Sequence, residues 1–337
     1  MTFEDFLTEW RSDVSFILAR TSGSTGVPKE IRLPKDFVAE SARRTNDFFS
    51  IGPGSRLHSC VSPDFIGGKM MLVRAEMAGA TLSWEIPSNQ PLQNIDPTHI
   101  IDLLAVVPSQ MIHILDNIRS LPKIRNIIIG GSAIHPQLRK RIGESGLNAF
   151  ETYGMTETAS HIALRRITHI CEGEKENPFH VLPGIYVTTD SDGCLQIRFE
   201  SGKIIVTNDL AEIVSPKEFY IHGRRDHIIN SGGKKINPIE VEKKIAHLIP
   251  FPFYITGEPD EKWGQRVILV IQSSKYDGSE DPGMSGLSYP FGSNFPESIC
   301  HELLDSLRNF LAPHELPKAV RVVSSLPITP SGKLKRT

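Results

Sequence analysis

Residues 21–29 read Thr-Ser-Gly-Ser-Thr-Gly-Val-Pro-Lys and directly follow the apolar run Phe16–Arg20. The run predicts a β-strand that leads into a turn. Gly23 and Gly26 let the backbone approach a ligand closely, so that amide N–H groups can point at phosphate oxygens. The hydroxyl side chains add further donors, and Lys29 adds a positive charge. The segment therefore predicts a phosphate-binding loop, and it is not a Walker A loop because it lacks the Gly-Lys-Ser/Thr run.

Strand-like and helix-like segments alternate on the carboxyl side of this loop. The helix predictions are Pro34–Phe49 and Lys69–Ala78. Strands are predicted for the short apolar runs Ala80–Trp84, Leu103–Val107 and Ile127–Ile129. Continuous apolar runs of this length suit parallel strands that are buried on both faces. The pattern predicts an α/β domain whose helices cover a sheet.

The pattern changes after Pro178. Short strands separated by Asp-Gly and Ser-Gly turns predict a small antiparallel sheet or distorted barrel; they are Val181–Thr189, Cys194–Phe199 and Ile204–Thr207. The remaining segments predict a small α+β domain, with helices at Pro238–Leu248 and Glu302–Phe310, a strand at Ala319–Val323 and a long surface loop at Ser273–Ser298. Pro238 suits the first position of a helix, and Glu240 suits its first turn.

Composition excludes several classes of function. The 337 residues carry a net charge of −2, so no bulk basic field favours nucleic acid or an anionic membrane. No apolar stretch approaches the length of a membrane span, and residues 1–11 lack the pattern of a signal peptide. The four cysteines form no CxxC pair, which favours reduced thiols in a cytoplasmic protein.

Five segments, taken in order, resemble the signature motifs of the adenylate-forming acyl-CoA synthetases, a family that includes luciferases and peptide-synthetase adenylation domains. The segments are the loop at 21–29, Tyr153-Gly154-Met155-Thr156-Glu157, Thr207-Asn208-Asp209, Gly223-Arg224-Arg225-Asp226 with Ser231-Gly232-Gly233, and Leu326-Pro327-Ile328-Thr329-Pro330-Ser331-Gly332-Lys333. The resemblance covers residues 16–336. It implies an ATP-dependent ligase that needs Mg²⁺ and coenzyme A.

The resemblance also implies roles for individual residues. Lys333, Thr156, Glu157 and Lys29 are the expected catalytic residues, and Glu157 is the expected Mg²⁺ ligand. Expected contacts to ATP or AMP are Thr21, Ser22, Gly23, Ser24, Thr25, Gly26, Gly131, Ser132, Ala133, Tyr153, Gly154, Met155, Asp209 and Arg224. A carboxylate beside nucleotide phosphates suits a hard cation.

Two domains are expected, with residues 1–223 as the adenylation domain and residues 224–337 as a mobile domain that carries Lys333. Asp226 is the expected hinge, and Gly232 and Gly233 are expected near the thiol during the second half-reaction. Both roles come from the resemblance. The boundary also agrees with the change in pattern along the sequence.

The acid is harder to predict than the reaction. Only Met1–Ser15 precede the first strand, whereas family members usually carry one or two hundred residues there. Chains with a short N-terminal segment of this kind resemble the o-succinylbenzoate–CoA ligases of menaquinone biosynthesis. Such an acid has two carboxylates, and the one that is not activated needs a cation once buried. Lys69 and Arg74 are candidates for that cation, and Ser160 and His161 could face the acyl group. Phe65 replaces a histidine that many relatives have, so that histidine's role is not carried over.

Other interpretations remain open at this stage. The chain could activate another aromatic or short-chain acid, load a carrier-protein phosphopantetheine arm, or bind adenylates without catalysis. The residues Lys29, Glu157, Asp209 and Lys333 argue against the last of these. A strand edge near Val14–Arg20 is expected to be partly uncovered, which predicts self-association as a homodimer.

Overall fold

The computed structural model describes residues 1–21, 29–171, 174–249, 251–272 and 303–327, together with Leu334 and Arg336. The chain divides into two compact units. The first contains Met1–Thr207 and Ala211–Tyr220, and the second contains Asn208–Leu210, Ile221–Pro327 and the described C-terminal residues. A functional domain boundary at residues 223/224 stays a prediction. Among the described residues, no helix combines the length and the apolar character that a membrane crossing requires.

Helices and strands are interspersed up to Glu144, and only strands and one 3₁₀ turn follow from Ala149 to Arg224. The helices are α1 (Phe3–Arg11), α2 (Lys35–Phe49), α3 (Ile66–Ala78), α4 (Pro108–Asp116) and α5 (Pro136–Glu144). The strands are β1 (Phe16–Arg20), β2 (Glu30–Pro34), β3 (Arg56–Ser59), β4 (Thr81–Trp84), β5 (Ile100–Ile101), β6 (Leu103–Val106), β7 (Lys123–Ile124), β8 (Ile127–Ile129), β9 (Ala149–Met155), β10 (Ser160–Arg166), β11 (Phe179–Val181), β12 (Ile185–Thr189), β13 (Cys194–Phe199), β14 (Ile204–Ser215) and β15 (Glu218–Arg224).

One large mixed sheet organises these elements. Its strand order is β12-β13-β14-β15-β11-β10-β9-β8-β6-β3-β4. The run from β9 to β4 is parallel, while β9–β10, β10–β11 and β11–β15 pair antiparallel. All residues of β6 and β8 are buried, as expected for parallel strands covered on both faces. The predicted α/β class is confirmed, and the predicted antiparallel strands extend the parallel ones within the same sheet.

The middle of helix α3 is buried inside the first unit. Its residues from Gly68 to Ala75 are all buried, so this stretch has no face exposed to solvent. Gly68 allows the close approach of the preceding loop, because a Cβ there would lie 2.3 Å from the Ser62 carbonyl oxygen. Any polar side chain on this part of α3 must therefore find its partners inside the protein.

Helix α1 was not predicted from the sequence. Thr2 and Asp5 form a capping box, with reciprocal backbone-to-side-chain hydrogen bonds of 2.8 and 3.0 Å. The helix buries Phe3 and Phe6. Its Glu9 carboxylate accepts a hydrogen bond of 2.7 Å from the backbone N–H of Leu18, on the edge of β1 that β2 does not pair. This contact satisfies part of the strand edge; self-association through it stays a prediction.

The second unit is a small α+β fold with its own core, as predicted. Its elements are β16 (Ile229–Ser231), β17 (Lys234–Ile236), α6 (Pro238–Ile245), β18 (Phe253–Asp260), β19 (Gly264–Gln272) and β20 (Ala319–Val323). The strand order is β17-β16-β19-β18, and β20 pairs parallel with β19. Val241 and Ile245 of α6 pack with Ile255 and Leu269 of the sheet. The predicted loop Ser273–Ser298 lies outside the described residues.

Candidate active site

The first unit gathers polar segments at the carboxyl ends of its parallel strands. Gly130–Ala133 follow β8, and Thr156 and Glu157 follow β9. Ligands of open α/β sheets bind at this edge. Gly131 has φ +92°, a conformation that favours glycine. A Cβ at Gly130 would lie 2.6 Å from the Thr152 hydroxyl of the adjacent strand, so close packing favours glycine at this position.

The ends of the predicted phosphate loop are joined to each other. The backbone N–H of Thr21 donates to the carbonyl oxygen of Lys29 at 2.8 Å, and the N–H of Lys29 donates to the Thr21 hydroxyl at 3.1 Å. The hydroxyl of Thr156 lies 3.5 Å from the carbonyl oxygen of Arg20, one residue before the loop. The first and second motifs are therefore neighbours. Ser22, Gly23, Ser24, Thr25 and Gly26 lie outside the described residues, as does Lys333.

The turn between β9 and β10 is tightly constrained. A Cβ at Gly154 would lie 2.2 Å from the Ser160 carbonyl oxygen, so only glycine fits there. Ala159 and Ser160 have φ values of +53° and +106°, which are uncommon for residues with side chains. Thr158 holds the turn through its hydroxyl, which accepts a 2.9 Å hydrogen bond from the N–H of Met155. Strain of this kind concentrates at functional sites.

The side-chain carboxylate of Glu157 is exposed to solvent. Within the described residues, the carboxylate of Glu157 makes neither a hydrogen bond nor an ion pair. Its main chain is held instead, because the Lys203 ammonium donates to the Glu157 carbonyl oxygen at 3.0 Å. Lys203 also lies 3.9 Å from the ring centroid of Phe37, and burial lowers its pKa although Glu157 opposes the shift. An available carboxylate oxygen at this edge fits Mg²⁺. The sequence analysis did not identify Lys203.

Arg74, Ser160 and His161 come together as the sequence suggested. The Arg74 guanidinium is 1% exposed and donates to the Ser160 hydroxyl at 3.0 Å. His161 Nδ1 lies 3.5 Å from the same guanidinium nitrogen, and its Nε2 lies 3.0 Å from the Thr45 hydroxyl. Burial lowers the pKa of Arg74 to about 9, and burial together with Arg74 holds the pKa of His161 well below its usual value. The Arg74 Nε–H has no hydrogen-bond partner in the part of the chain that is described.

Lys69 lies on the same helix but has other partners. Its ammonium is 3.4 Å from the Glu9 carboxylate and 4.1 Å from the centroid of the Phe6 ring, both on α1. Desolvation lowers its pKa, while Glu9 partly compensates. Because α1 already provides a countercharge, Lys69 is a weaker candidate than Arg74 for binding a substrate carboxylate. Its role in substrate binding stays a prediction.

Tyr153 is positioned by aromatic packing. Its ring makes an edge-on contact with Phe219 at 5.3 Å and a tilted contact with Phe179 at 5.7 Å. Both partners belong to the antiparallel strands that extend the sheet beyond β10. These contacts fix the ring direction at the start of the motif; its proposed contact with adenine stays a prediction.

In the second unit, acidic and basic residues of two predicted motifs meet. Arg224 forms two hydrogen bonds with the Asp226 carboxylate, at 2.9 and 2.7 Å, and its third nitrogen lies 3.5 Å from Asp209. The pKa of Asp226 is lowered chiefly by the hydrogen bonds from Arg224. Gly232 has φ +55°, and a Cβ there would lie 2.7 Å from the Trp263 ring. Gly233 also has a positive φ, of +76°.

These features define a class of protein: an α/β fold that carries polar segments and an exposed carboxylate at the carboxyl edge of a parallel sheet. The family model described as "AMP-binding enzyme" matches residues 9–209, and the model described as "AMP-binding enzyme C-terminal domain" matches residues 253–333. The chain belongs to the AMP-binding enzyme family.

Individual relatives agree with this membership. The 2-succinylbenzoate–CoA ligase of Lactococcus lactis is 24% identical over 340 residues, which cover 95% of this chain and 69% of that protein. A crystal structure of an acyl-CoA synthetase (AMP-forming)/AMP-acid ligase II-like protein from Dyadobacter fermentans is 31% identical, with a TM-score of 0.59, and the match covers 98% of this chain and 91% of the other.

A third relative shares the fold. The o-succinylbenzoate CoA synthetase of Bacillus subtilis, solved with its acyl-adenylate intermediate, gives a TM-score of 0.74 at 22% identity and covers 95% of this chain and 67% of the other. The chain spans between 40% and 69% of the length of the first curated relatives that it matches.

Proposed function

We propose that this protein is an AMP-forming acid–thiol ligase that activates o-succinylbenzoate with ATP and transfers the acyl group to coenzyme A. Family membership supports the ligase reaction, and the name of the L. lactis relative supports the acid. The observation that carries the choice of a dicarboxylic acid is the unpaired charge of Arg74.

Arg74 differs from the other buried arginines of the described chain. Arg44 pairs with Glu40, and Arg139 and Arg165 each pair with Glu151. No carboxylate of the described residues lies within hydrogen-bond distance of Arg74, although burying an unpaired charge is costly. A ligand carboxylate would supply the missing countercharge. A succinylbenzoate keeps one free carboxylate after the other has been adenylated, so it fits this requirement and a monocarboxylate does not.

The site residues would divide the first half-reaction as follows. One oxygen of the substrate carboxylate forms a bond to the α-phosphorus of ATP, the bond from that phosphorus to the bridging oxygen breaks, and pyrophosphate leaves. Lys29, Thr156 and the amides of the 21–29 loop bind phosphate oxygens, and Glu157 holds the cation. Bound Mg²⁺ supplies positive charge that offsets the charge developing on the phosphates. Arg74 orients the acid, which turns the reaction into one between prealigned groups.

Lys333 has its role by resemblance and lies outside the described residues. We propose that its ammonium contacts the reacting carboxylate and the α-phosphate. In the second half-reaction the coenzyme A thiolate attacks the acyl carbon and AMP leaves, after a rotation about Asp226 that removes Lys333. The change Lys333→Ala should then slow adenylation by at least about 10²–10³-fold. It should leave thioester formation from preformed acyl-adenylate nearly unchanged in single-turnover assays. Equal losses in both half-reactions would contradict the alternation.

ATP–pyrophosphate exchange with a panel of acids tests the function. The panel contains o-succinylbenzoate, benzoate and acetate at matched concentrations, with and without Mg²⁺. We expect exchange that needs Mg²⁺ and is fastest with o-succinylbenzoate. Exchange at least tenfold faster with benzoate or acetate would refute the acid assignment, and the absence of exchange with every acid would refute the ligase. A second assay with coenzyme A and with a phosphopantetheinylated carrier protein identifies the acceptor.

A further inference from the structure

Three potential metal ligands converge at the ends of β3 and of its neighbour β4, the edge strand of the sheet. His58 and Cys60 are two residues apart on β3 and its extension, so they share one face of the sheet. Glu85 follows β4 directly. The imidazole nitrogen, the thiol sulfur and a carboxylate oxygen all lie within 4.8 Å of one another. His58 and Cys60 are 2% and 1% exposed, while the side chain of Glu85 is 21% exposed.

One tautomer of His58 leaves the ring nitrogen that faces this cluster as an acceptor. The Ser83 hydroxyl donates to the Leu57 carbonyl oxygen at 3.3 Å, so its oxygen can accept from His58 Nδ1–H at 2.8 Å. In this tautomer His58 Nε2 carries a lone pair. That atom is buried and has no hydrogen-bond partner, and it faces Glu85 Oε2 at 3.7 Å. In this tautomer a buried nitrogen acceptor faces a partly buried carboxylate oxygen, and a cation between them would satisfy both.

We propose that His58, Cys60 and Glu85 form a binding site for a divalent transition-metal ion of the zinc type. Ligand bonds of about 2.0–2.1 Å in tetrahedral geometry place neighbouring N and O ligands roughly 3.3–3.4 Å apart, so the observed 3.7 Å needs only a small contraction. Thiolate and imidazole ligands select zinc-like ions over Mg²⁺, which distinguishes this site from Glu157. The thiol of Cys60 gives up its proton on binding. A water molecule would complete the four ligands.

Neighbouring contacts indicate what the ion would hold together. The Glu85 carboxylate accepts from the backbone N–H of Leu92 at 3.1 Å, which closes the loop after β4. The side chain of Gln110 donates to the carbonyl oxygens of Cys60 and Ser88, both at 3.0 Å. Cys60 begins the segment that leads into α3. The metal would thus fasten the edge strand and its loop to the base of the helix that carries Arg74.

Titration of the metal-free, untagged full-length protein with Co²⁺ tests the site. Tetrahedral Co²⁺ absorbs in the visible region, and a thiolate ligand adds a charge-transfer band in the near ultraviolet. We expect both signals to saturate at one Co²⁺ per chain and to disappear on addition of Zn²⁺. Cys60→Ser should abolish the charge-transfer band, and His58→Gln should abolish the saturation at one equivalent.

Controls separate loss of a ligand from loss of the fold. Cys171→Ser changes an exposed cysteine and should leave both signals intact, as should Cys194→Ser at a buried one. Ser83→Ala keeps all three ligands but removes the partner that orients His58, and it should weaken the affinity about 10–100-fold. The absence of a charge-transfer band in the wild-type protein would overturn the proposal, because His58 and Glu85 would then share a proton instead of a metal. An unchanged band in Cys60→Ser would overturn it as well.

Discussion

Replacing Arg74 by methionine should have opposite effects on activity and stability. Methionine has a similar length and no charge. Removing one partner of a buried ion pair costs about 3–5 kcal/mol, whereas an exposed pair contributes about 1 kcal/mol or less. Arg74 is 1% exposed, so the larger figure applies. The efficiency of o-succinylbenzoate adenylation should therefore fall by about 10²-fold to several thousand-fold.

The free protein should not be destabilised to a similar extent. In the absence of ligand, Arg74 is a buried charge whose described partners are only the Ser160 hydroxyl, the Met71 sulfur and the His161 ring. Its removal loses about one hydrogen bond, about 1 kcal/mol, but also removes the cost of burying the charge. We expect the unfolding midpoint in urea to stay the same or rise.

Pyrophosphate exchange with matched acids measures the activity side. Two monocarboxylate analogues, 3-benzoylpropionate and 2-butanoylbenzoate, each lack one of the two carboxyl groups. The analogue without the carboxylate that Arg74 binds should be a poor substrate of the wild-type protein and should lose little more in Arg74→Met. A loss below tenfold with o-succinylbenzoate would refute the reasoning, as would an equal loss with the analogue that lacks the carboxylate bound by Arg74.

Three further changes test the site around Arg74. His161 is buried and neutral, so below about pH 6.5 its side chain takes up a proton in the unfolded chain but not in the folded one. The free energy of unfolding should therefore fall by up to about 1.4 kcal/mol for each pH unit below that value. Urea unfolding at pH 7.0 and 5.5 should show a smaller fall in His161→Gln than in the wild-type protein. An identical fall in the variant would show that another group causes it. Lys203→Met removes the hydrogen bond to the Glu157 carbonyl oxygen, which contributes about 0.5–1.5 kcal/mol. The Mg²⁺ concentration for half-maximal pyrophosphate exchange should therefore rise roughly two- to tenfold. An unchanged concentration would exclude a role of Lys203 in positioning Glu157. Gly154→Ala should lower the free energy of unfolding by at least about 1–3 kcal/mol, because its methyl group would lie 2.2 Å from the Ser160 carbonyl oxygen. Gly52→Ala is the control, because a Cβ at Gly52 has no atom within 4 Å. Equal effects of the two changes would contradict the packing argument.

Elements with a strong local pattern could be predicted from the sequence. Phe16–Arg20, Ile127–Ile129, Cys194–Phe199 and Ala319–Val323 are strands with the predicted bounds. Local apolar runs and turn residues mark these bounds in the sequence. The strand predicted for Val181–Thr189 is instead two strands, Phe179–Val181 and Ile185–Thr189, because Pro183 and Gly184 interrupt it.

Elements that depend on tertiary contacts were missed or shortened. Helix α1 is short and amphipathic, and it is held by Phe3, Phe6 and the Glu9 contacts to other elements. Strand β14 continues eight residues beyond the predicted end at Thr207, through the polar segment that contains Asp209, because it pairs within the sheet. Sheet pairing of this kind is not encoded in the residues of one strand alone.

The candidate site shows the same division. The motif around Tyr153–Glu157 and the grouping of Arg74 with Ser160 and His161 could be anticipated from residue types. Lys203 could not, because a lysine after a Ser-Gly turn is typical of an exposed loop. The difference between Lys69 and Arg74 also required the structure, since both are cations on one helix and only the fold shows that α1 supplies a carboxylate to one of them.

Strand β9 lies where the pairing in the sheet changes from parallel to antiparallel, so it joins two parts of the sheet that are built differently. On one side, β9 meets β8 through the short register Ile127↔Ala149 to Ile129↔Glu151; on the other side it forms a long hairpin with β10. A hairpin is local in sequence and closes quickly, whereas the parallel contact joins segments separated by a helix. The candidate site segments Gly130–Ala133 and Thr156–Glu157 follow the ends of β8 and β9. A nucleotide bound at the site should therefore slow hydrogen exchange of the backbone amides that join β8 to β9. It would stabilise the pairing between the parallel and the antiparallel part of the sheet.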